Sequence, residues 1–181
     1  FAYTDDNNLP SIIVSANSTI TKVSQFSGKR IGTFPGTTAK TALISALERY
    51  GVNVRNVEII ELAPPVQLGA IASGQVDALY AYEPTPTIGE AKGITQYLVR
   101  RPIEFIANPL YQGFAGFSTK FATENPEAAK KIVTAFQEAD VFAESHNLEG
   151  RSILVNWTGL PANAATQVPL SPFTLVHEMN Q

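Results

Sequence analysis

The stretch that decides the fold is RIGTFPGTTA, residues 30–39. Its first five residues are typical of a buried strand, and Pro35-Gly36 is a turn dipeptide. Residues 37–50 then carry apolar side chains at intervals of three and four, which predicts a helix, and Gly51 supplies the stop expected just past a helix end. A strand that turns directly into a helix is the building unit of an α/β fold.

The same alternation continues on both sides of this unit. Further strands are predicted at residues 11–15, 57–62, 76–82 and 96–99, and further helices at residues 64–73 and 85–91. Because the connections are short, the pattern favours a parallel or mixed sheet covered by helices on both faces.

The pattern changes after Gly113. Residues 113–118 (GFAGFS) are strand-like, and Asn125-Pro126-Glu127 is a strong helix start, with an N-cap residue, a proline and an acid in order. A long helix is predicted to about residue 145, with shorter helices at 149–156 and 161–167. The C-terminal part is therefore predicted to be mainly helical.

Composition excludes several classes of function. The 181 residues include 13 basic and 16 acidic side chains, for a formal charge of -3, and 44% are hydrophobic, which indicates one domain or slightly more. Cysteine is absent, which excludes disulfides and zinc-thiolate sites. His146 and His177 have no histidine or carboxylate near them at the spacing that a metal site requires. The basic residues do not cluster, so no nucleic-acid partner is expected, and neither a metal nor a cofactor is predicted. No apolar run approaches the length of a membrane span.

A candidate anion site lies at the predicted start of the helix after residue 36. Gly36, Thr37 and Thr38 place small side chains and hydroxyls where free backbone N–H groups and the positive end of the helix dipole meet. The alternative is that Thr37 or Thr38 merely caps the helix.

A second candidate is Tyr82-Glu83, at the carboxyl end of a predicted strand. Ligands of open α/β sheets gather beyond these strand ends, so Tyr82 and Glu83 are expected to face the same cleft as Thr37 and Thr38. The alternative is an exposed loop carboxylate beside a half-buried tyrosine.

Catalytic motifs are missing from the sequence. It contains no GxSxG elbow, no HExxH and no cysteine nucleophile, so no catalytic residue and no enzyme activity are predicted. Trp157 is interpreted as a core aromatic rather than a ligand platform.

Several of these motifs together resemble a known family. They are residues 28–39, the LGAIASGQVDAL run at 68–79, Tyr82-Glu83-Pro84 and Asn125-Pro126-Glu127. In this order and spacing they resemble the solute-binding proteins of ABC importers in the nitrate, sulfonate and taurine class. The resemblance covers about residues 10–160.

The resemblance implies a two-lobed, type II periplasmic-binding-protein fold that closes on a small ligand by a hinge motion. Residues 1–18 would be an incoming hinge segment, 19–112 the ligand-binding α/β lobe, and 113–181 the return crossover with an incomplete helical part of the other lobe. The segments Ser11–Ser15 and 113–118 would be the two hinge strands. Most of the first lobe, which in this family would precede Phe1, is expected to be missing.

The function implied is capture of a small anionic or zwitterionic solute outside the cytoplasmic membrane and delivery to an ABC permease. Gly36, Thr37 and Thr38 would bind the oxyanion, Tyr82 would form an aromatic wall and Glu83 would lie in the cleft. The protein is expected in the periplasm or outside the cell at the membrane, with its signal segment not in this chain. Self-association is considered as a way to cover the apolar face of the long helix.

A regulator or sensor is the main alternative, and an enzyme is a weaker one. A regulator or sensor can use the same fold as its ligand-sensing module. A related branch of the family makes a thiamine pyrimidine precursor, but the cysteine-rich motif associated with that branch cannot exist in this chain.

Overall fold

The computed structural model describes residues 2–4, 10–106, 111–114, 116–158, 161–168 and 173–174. The chain divides into two compact units. A sheet unit consists of Asn8–Asn108 with Gln167–Pro169, and a helical unit consists of Phe1–Asn7, Pro109–Thr166 and Leu170–Gln181.

The strands and helices follow one another in mixed α/β order. The strands are β1 (Ala2–Thr4), β2 (Ser11–Ser15), β3 (Arg30–Thr33), β4 (Glu58–Glu61), β5 (Ala78–Ala81), β6 (Thr95–Arg100), β7 (Tyr111–Phe114) and β8 (Phe173–Thr174). The helices are α1 (Thr37–Arg49), α2 (Pro64–Ala72), α3 (Thr85–Ala91), α4 (Thr119–Glu124), α5 (Pro126–Ser145), α6 (Asn147–Thr158) and α7 (Ala162–Ala165).

The sheet unit is built on five strands in the order β4-β3-β5-β2-β6. β3 runs parallel to β4 and β5, whereas β2 runs antiparallel to both β5 and β6. The predicted mixed sheet is therefore confirmed. Because β3, β4 and β5 are parallel, their carboxyl ends lie on one side of the sheet, which we call the carboxyl edge.

The core between the sheet and α2 is tightly packed. It contains Ile13, Leu62, Ala70, Ile71, Val76, Leu79 and Ala81, all at most 9% exposed. A Cβ atom at Gly32 would lie 2.6 Å from Cδ2 of Leu79 and 2.8 Å from Cδ1 of Leu62, closer than carbon atoms approach. Glycine at this position thus allows the two leucines to meet over β3.

An ion pair joins the start of β3 to the segment before β5. Nε of Arg30 lies 3.2 Å from Oδ2 of Asp77, and the backbone N–H of Arg30 donates to the same oxygen at 2.8 Å. The Asp77 N–H donates in turn to the Arg30 carbonyl at 2.8 Å, and the Arg30 guanidinium also donates to the Gly74 carbonyl at 2.8 Å. These bonds hold β3 and β5 in register at the first residue of β3 and immediately before β5.

The helical unit has a three-stranded antiparallel sheet in the order β7-β1-β8. Its longest helix, α5, begins at Pro126 as predicted, although the Asn125 side chain makes no cap bond. Ile132, Val133 and Phe136 of α5 are between 37% and 46% exposed, and Trp157 of α6 is 86% exposed. Trp157 is therefore not the core aromatic that the sequence suggested.

The structure also departs from the predicted elements near residue 113. The strand is Tyr111–Phe114 rather than 113–118, and Ser118 instead caps α4 by accepting a hydrogen bond from the Phe121 N–H at 3.2 Å. The aromatic and small residues of 113–118 indicate a strand, and this pattern gives no sign that Ser118 is a helix cap. None of the helices in the described part of the chain has the length and apolar character needed to cross a membrane.

Candidate functional site

Three strand-to-helix connections lie at the carboxyl edge. β3 leads to α1, β4 to α2 and β5 to α3. α2 begins with Pro64-Pro65, and α3 has Pro86 in its first turn, so both helices present fewer backbone N–H groups than usual. α1 has no proline in its first turn and therefore presents the fullest set of free N–H donors at this edge.

The N-cap of α1 is Gly36, with φ 117° and ψ 162°. Glycine has no side chain that could accept the N–H groups of the first turn, and Thr37 and Thr38 are exposed members of the helix rather than its cap. The Gly36 carbonyl accepts the first helical bond, from the Lys40 N–H at 3.3 Å. The N–H groups at the start of α1 are thus open to an external acceptor, with two hydroxyls beside them.

Tyr82 is anchored to the end of β5 by another tyrosine. It is half-buried, and its ring meets the fully buried ring of Tyr80 edge to face, with centroids 5.9 Å apart and planes at 88°. Tyr80 is paired with Thr33 across β3 and β5. Tyr82 therefore lies one residue beyond the strand that neighbours the start of α1.

Glu83 has hydrogen-bond partners of its own. Its Oε2 accepts a bond from the Thr87 N–H at 3.3 Å, in the first turn of α3, and its Oε1 accepts one from the Tyr97 hydroxyl at 3.2 Å. The Thr87 hydroxyl is 3.5 Å from the same Tyr97 oxygen. Glu83 thus joins the β5–α3 connection to β6 and is not a free loop carboxylate.

The environment of Tyr97 affects its ionisation. Burial raises the pKa of Tyr97, the Glu83 charge raises it further, and the bond with Thr87 and the Arg100 charge act in the opposite direction. The Arg100 guanidinium carbon lies 3.3 Å from the Tyr97 ring centroid. Tyr97 is therefore held in its neutral form as a hydrogen-bond donor to Glu83.

All five candidate residues lie at the carboxyl edge, in two separate strand-to-helix connections. Gly36, Thr37 and Thr38 form the start of α1, whereas the hydrogen bonds of Glu83 are to α3 and β6. Sequence reasoning missed Thr87 and Tyr97. The contact with Thr87 could be predicted from the sequence, because Glu83 stands four residues before it at a helix start. The contact with Tyr97 could not, because it depends on which strand packs against α3.

Among the described residues, His146 and the carboxylates add no metal site. The His146 ring stacks on Phe142 at 4.7 Å, and its Nδ1 lies 2.8 Å from the Ser145 hydroxyl, whereas His177 is outside the described residues. Within the residues that the structure describes, no three His, Asp or Glu side chains are grouped so as to hold a metal ion.

The sequence profile of the family described as "NMT1/THI5 like" matches residues 2–147, which is most of the chain. The chain belongs to the NMT1/THI5-like family. A Brucella abortus protein named only as a binding protein is 28% identical over 131 residues, 71% of this chain and 40% of that protein. The chain thus spans about two-fifths of the length of the first curated relatives it matches.

Solved structures show the same fold as this NMT1/THI5-like chain. The alkanesulfonate-binding protein SsuA from Xanthomonas axonopodis pv. citri, bound to MOPS, superposes with a TM-score of 0.74 at 23% identity, over 92% of this chain and 56% of that one. The predicted type II periplasmic-binding-protein fold is therefore confirmed. The desulfurization enzyme DSZB superposes with a TM-score of 0.63 at 19% identity, over 94% of this chain and 62% of that one, so the fold also serves an enzyme.

Proposed function

We propose that this chain is part of an extracytoplasmic solute-binding protein that captures a small oxyanion-bearing solute, such as a sulfonate or nitrate, for an ABC transporter. The observation that carries the proposal is the start of α1, where a glycine N-cap leaves N–H groups without a side-chain acceptor at the carboxyl edge of parallel strands. Family membership and the shared fold with an alkanesulfonate-binding protein support it.

In this proposal the oxyanion accepts hydrogen bonds from the backbone N–H groups and hydroxyls of Thr37 and Thr38. Gly36 lets the anion approach the backbone, because it carries no Cβ on the solvent side. Tyr82 forms the aromatic wall next to the anion. Residues 19–112 act as the ligand-binding lobe, with residues 1–18 and 113–181 as the crossover segments and the helical part of the other lobe.

Glu83 has a more limited role in the same proposal. Each carboxylate oxygen has two lone pairs, and one on each is already used by Thr87 or Tyr97. The carboxylate can still accept a bond from an ammonium or N–H group on a ligand, and its internal partners fix its orientation. A zwitterionic solute would therefore place its cationic end near Glu83 and its anionic end at Thr37 and Thr38.

The groups at the carboxyl edge suit binding rather than catalysis. They are backbone donors, hydroxyls, an aromatic ring and a carboxylate that is already hydrogen-bonded. The backbone N–H groups and hydroxyls can stabilise an anion reversibly, whereas the carboxylate suits a cationic group on the ligand. The whole protein would work in the periplasm or outside the cell at the membrane, with an ABC permease as its partner.

A thermal-shift titration tests the proposal. Ethanesulfonate, taurine and nitrate are titrated against the chain, and a ligand that binds only the folded state stabilises it by ~2.7 kcal/mol at a hundred times its dissociation constant. We expect a saturable rise in Tm with at least one of them. The absence of any shift would contradict binding by this chain.

A pair of threonine variants locates the binding. Thr38→Trp blocks the start of α1, whereas Thr41→Trp places the same bulk at an exposed position farther along the same helix. We expect Thr38→Trp to weaken binding at least ~10-fold, about 1.4 kcal/mol, and Thr41→Trp to change it little. Equal affinity in the two variants would show that the ligand does not bind at the start of α1.

A further inference from the structure

A pocket of about 550 Å³ lies beside the last turn of α1, lined by Arg49, Tyr50, Arg101, Pro102, Glu104 and Phe105. Thr38 and Arg49 are eleven residues apart in one helix, which corresponds to about 17 Å along its axis. The pocket, which we call the arginine pocket, is therefore distinct from the start of α1. Its volume is in the range of small-molecule sites.

The arginine pocket has an excess of positive charge. Its lining includes two guanidinium groups and one carboxylate. Arg101 is paired with Glu104 at 3.2 Å, whereas Arg49 forms no ion pair with any other described residue. Instead, the Arg49 guanidinium carbon lies 5.7 Å from the centre of the Phe105 ring. The ring attracts the guanidinium through a cation–π contact, which leaves the N–H groups of Arg49 available as hydrogen-bond donors.

Two aromatic side chains give the pocket apolar walls. Tyr50 is 41% exposed and Phe105 is 48% exposed. Large aromatic side chains are usually more buried than this. A guanidinium pairs with acidic groups, and an exposed aromatic face stacks on planar groups. The two aromatic walls and the Arg49 cation together fit a ligand that has a planar apolar body and an acidic group.

The backbone of Arg101 is a further sign of a specialised site. Its φ of 56° lies in the left-handed region, where non-glycine residues are uncommon. Its Nε is buried and forms no hydrogen bond within the described structure. Strained backbone and unmet donors persist where the surrounding structure enforces them, which is often at binding sites.

We propose that the arginine pocket binds a small organic anion with a planar apolar body, of the aryl carboxylate or aryl sulfonate class. Arg49 pairs with the anionic group, because it is the guanidinium without a carboxylate partner among the described residues. Tyr50 and Phe105 contact the planar body. Glu104 lowers the affinity by competing for Arg101 and by repelling the anion, so the site favours ligands whose acidic group reaches Arg49.

Naphthoate is the probe, with naphthalene methanol as its uncharged counterpart. Binding is measured by calorimetry and by the shifts of the arginine Nε–H resonances in ¹H–¹⁵N spectra of the full chain. We expect saturable binding of naphthoate, with shifts at Arg49, and binding of the alcohol that is at least ~10-fold weaker. No saturable binding, or equal binding of the alcohol, would overturn the proposal.

Four variants locate the site. Arg49→Gln removes the charge and is expected to weaken naphthoate binding at least ~10-fold. Phe105→Leu removes the aromatic face but keeps an apolar side chain, and it is expected to weaken naphthoate binding at least ~3-fold. Arg55→Gln, at an exposed arginine outside the pocket, is expected to bind naphthoate within about twofold of the unmodified chain. Thr38→Trp, which blocks the start of α1, reports whether naphthoate binds there instead.

The competing results are distinct. Unchanged affinity in both Arg49→Gln and Phe105→Leu would overturn the arginine pocket. Loss of binding in Thr38→Trp would show that naphthoate occupies the start of α1 instead. Thermal unfolding of each variant shows that the comparison is made between folded proteins.

Discussion

The Tyr97 hydroxyl donates a 3.2 Å hydrogen bond to Oε1 of Glu83. Tyr97 lies in the middle of β6 and Glu83 follows β5, and β2 separates these two strands in the sheet. The bond therefore crosses over the central antiparallel strand and attaches the β5–α3 connection to the edge of the sheet. Any ligand that contacts Glu83 meets a carboxylate whose direction is set by Tyr97 and Thr87.

Removal of the Tyr97 hydroxyl should destabilise the sheet unit. In Tyr97→Phe, Oε1 of Glu83 loses its donor while the ring remains, and we expect a loss of about 1 kcal/mol in the free energy of unfolding. Tyr50→Phe removes the same atom from an exposed tyrosine and should stay within about 0.5 kcal/mol of the unmodified chain. Urea unfolding of the three proteins makes the comparison, and equal midpoints would contradict a contribution from this bond.

The raised pKa of Tyr97 predicts a loss of stability at alkaline pH. The folded state keeps this proton at pH values where the unfolded state has already released it, so the contribution is complete below about pH 10 and is lost as pH rises through the folded-state pKa. Unfolding free energies measured from pH 8 to 11 should fall less steeply in Tyr97→Phe than in the unmodified chain. Parallel curves would argue against the shift.

Asp77 predicts the opposite dependence at acid pH. Burial raises the pKa of Asp77, but its side-chain and backbone hydrogen bonds from Arg30, together with the Arg30 charge, lower it overall. A lowered pKa stabilises the fold above the ordinary carboxyl pKa of about 3.9, and this contribution is lost as pH falls through the folded-state value. Stability should therefore rise with pH across this window.

The variant Asp77→Asn isolates this effect. We expect a Tm lower by a few degrees at pH 7, a modest change because the Arg30 and Asp77 side chains are 40% and 27% exposed. The difference should shrink toward pH 2, where both proteins lack the charge. Glu48→Gln, which changes an exposed acid on α1, serves as the control and should leave Tm nearly unchanged. A Tm difference that is independent of pH would show that packing, not charge, is responsible.

The two glycines Gly32 and Gly69 should respond in opposite ways to alanine. Gly32→Ala forces Leu79 and Leu62 apart in a close-packed core, and we expect a loss of about 1–3 kcal/mol. Gly69 lies exposed inside α2 with nothing within 4 Å of an added Cβ, so Gly69→Ala should stabilise by up to about 1 kcal/mol. Thermal unfolding measures both, and a neutral Gly32→Ala would mean that the leucines repack freely.

The Gly36 backbone can be tested against that of another glycine. Gly36 has φ 117° with an extended ψ, which asparagine does not adopt readily, whereas Gly74 has φ 73°, in the left-handed region that asparagine tolerates. We expect Gly36→Asn to cost about 1–3 kcal/mol and Gly74→Asn less than about 1 kcal/mol. Similar costs at both positions would indicate that the start of α1 relaxes to accommodate a side chain.

The elements of the sheet unit could be predicted closely because their signals are local. α1 starts at Thr37 as the turn dipeptide Pro35-Gly36 indicates, and β2 and α3 have the predicted bounds. The helical unit is harder to predict from the sequence. The start of α4 depends on a single serine cap, and the exposure of Trp157 depends on what packs against α6. Periodicity identifies an apolar side chain but not the surface that covers it.

The candidate site could be predicted only where it is local. That Thr37 and Thr38 lie at a helix start is confirmed; that they bind an anion stays a prediction. The partners of Glu83 could not be derived fully, because Tyr97 reaches it through the order of strands in the sheet. The arginine pocket was missed for the same reason, since Arg49 and Arg101 come from distant parts of the sequence.

The position of β2 has a consequence for how the chain folds during synthesis. β2 is the first strand of the five-stranded sheet to be made, yet its neighbours β5 and β6 follow it by roughly 65 to 80 residues. Ile12, Ile13 and Val14 therefore leave the ribosome long before the strands that bury them. The sheet cannot be completed until β6, its last strand in the chain, has emerged, so these apolar residues lack their native neighbours during the synthesis of the unit.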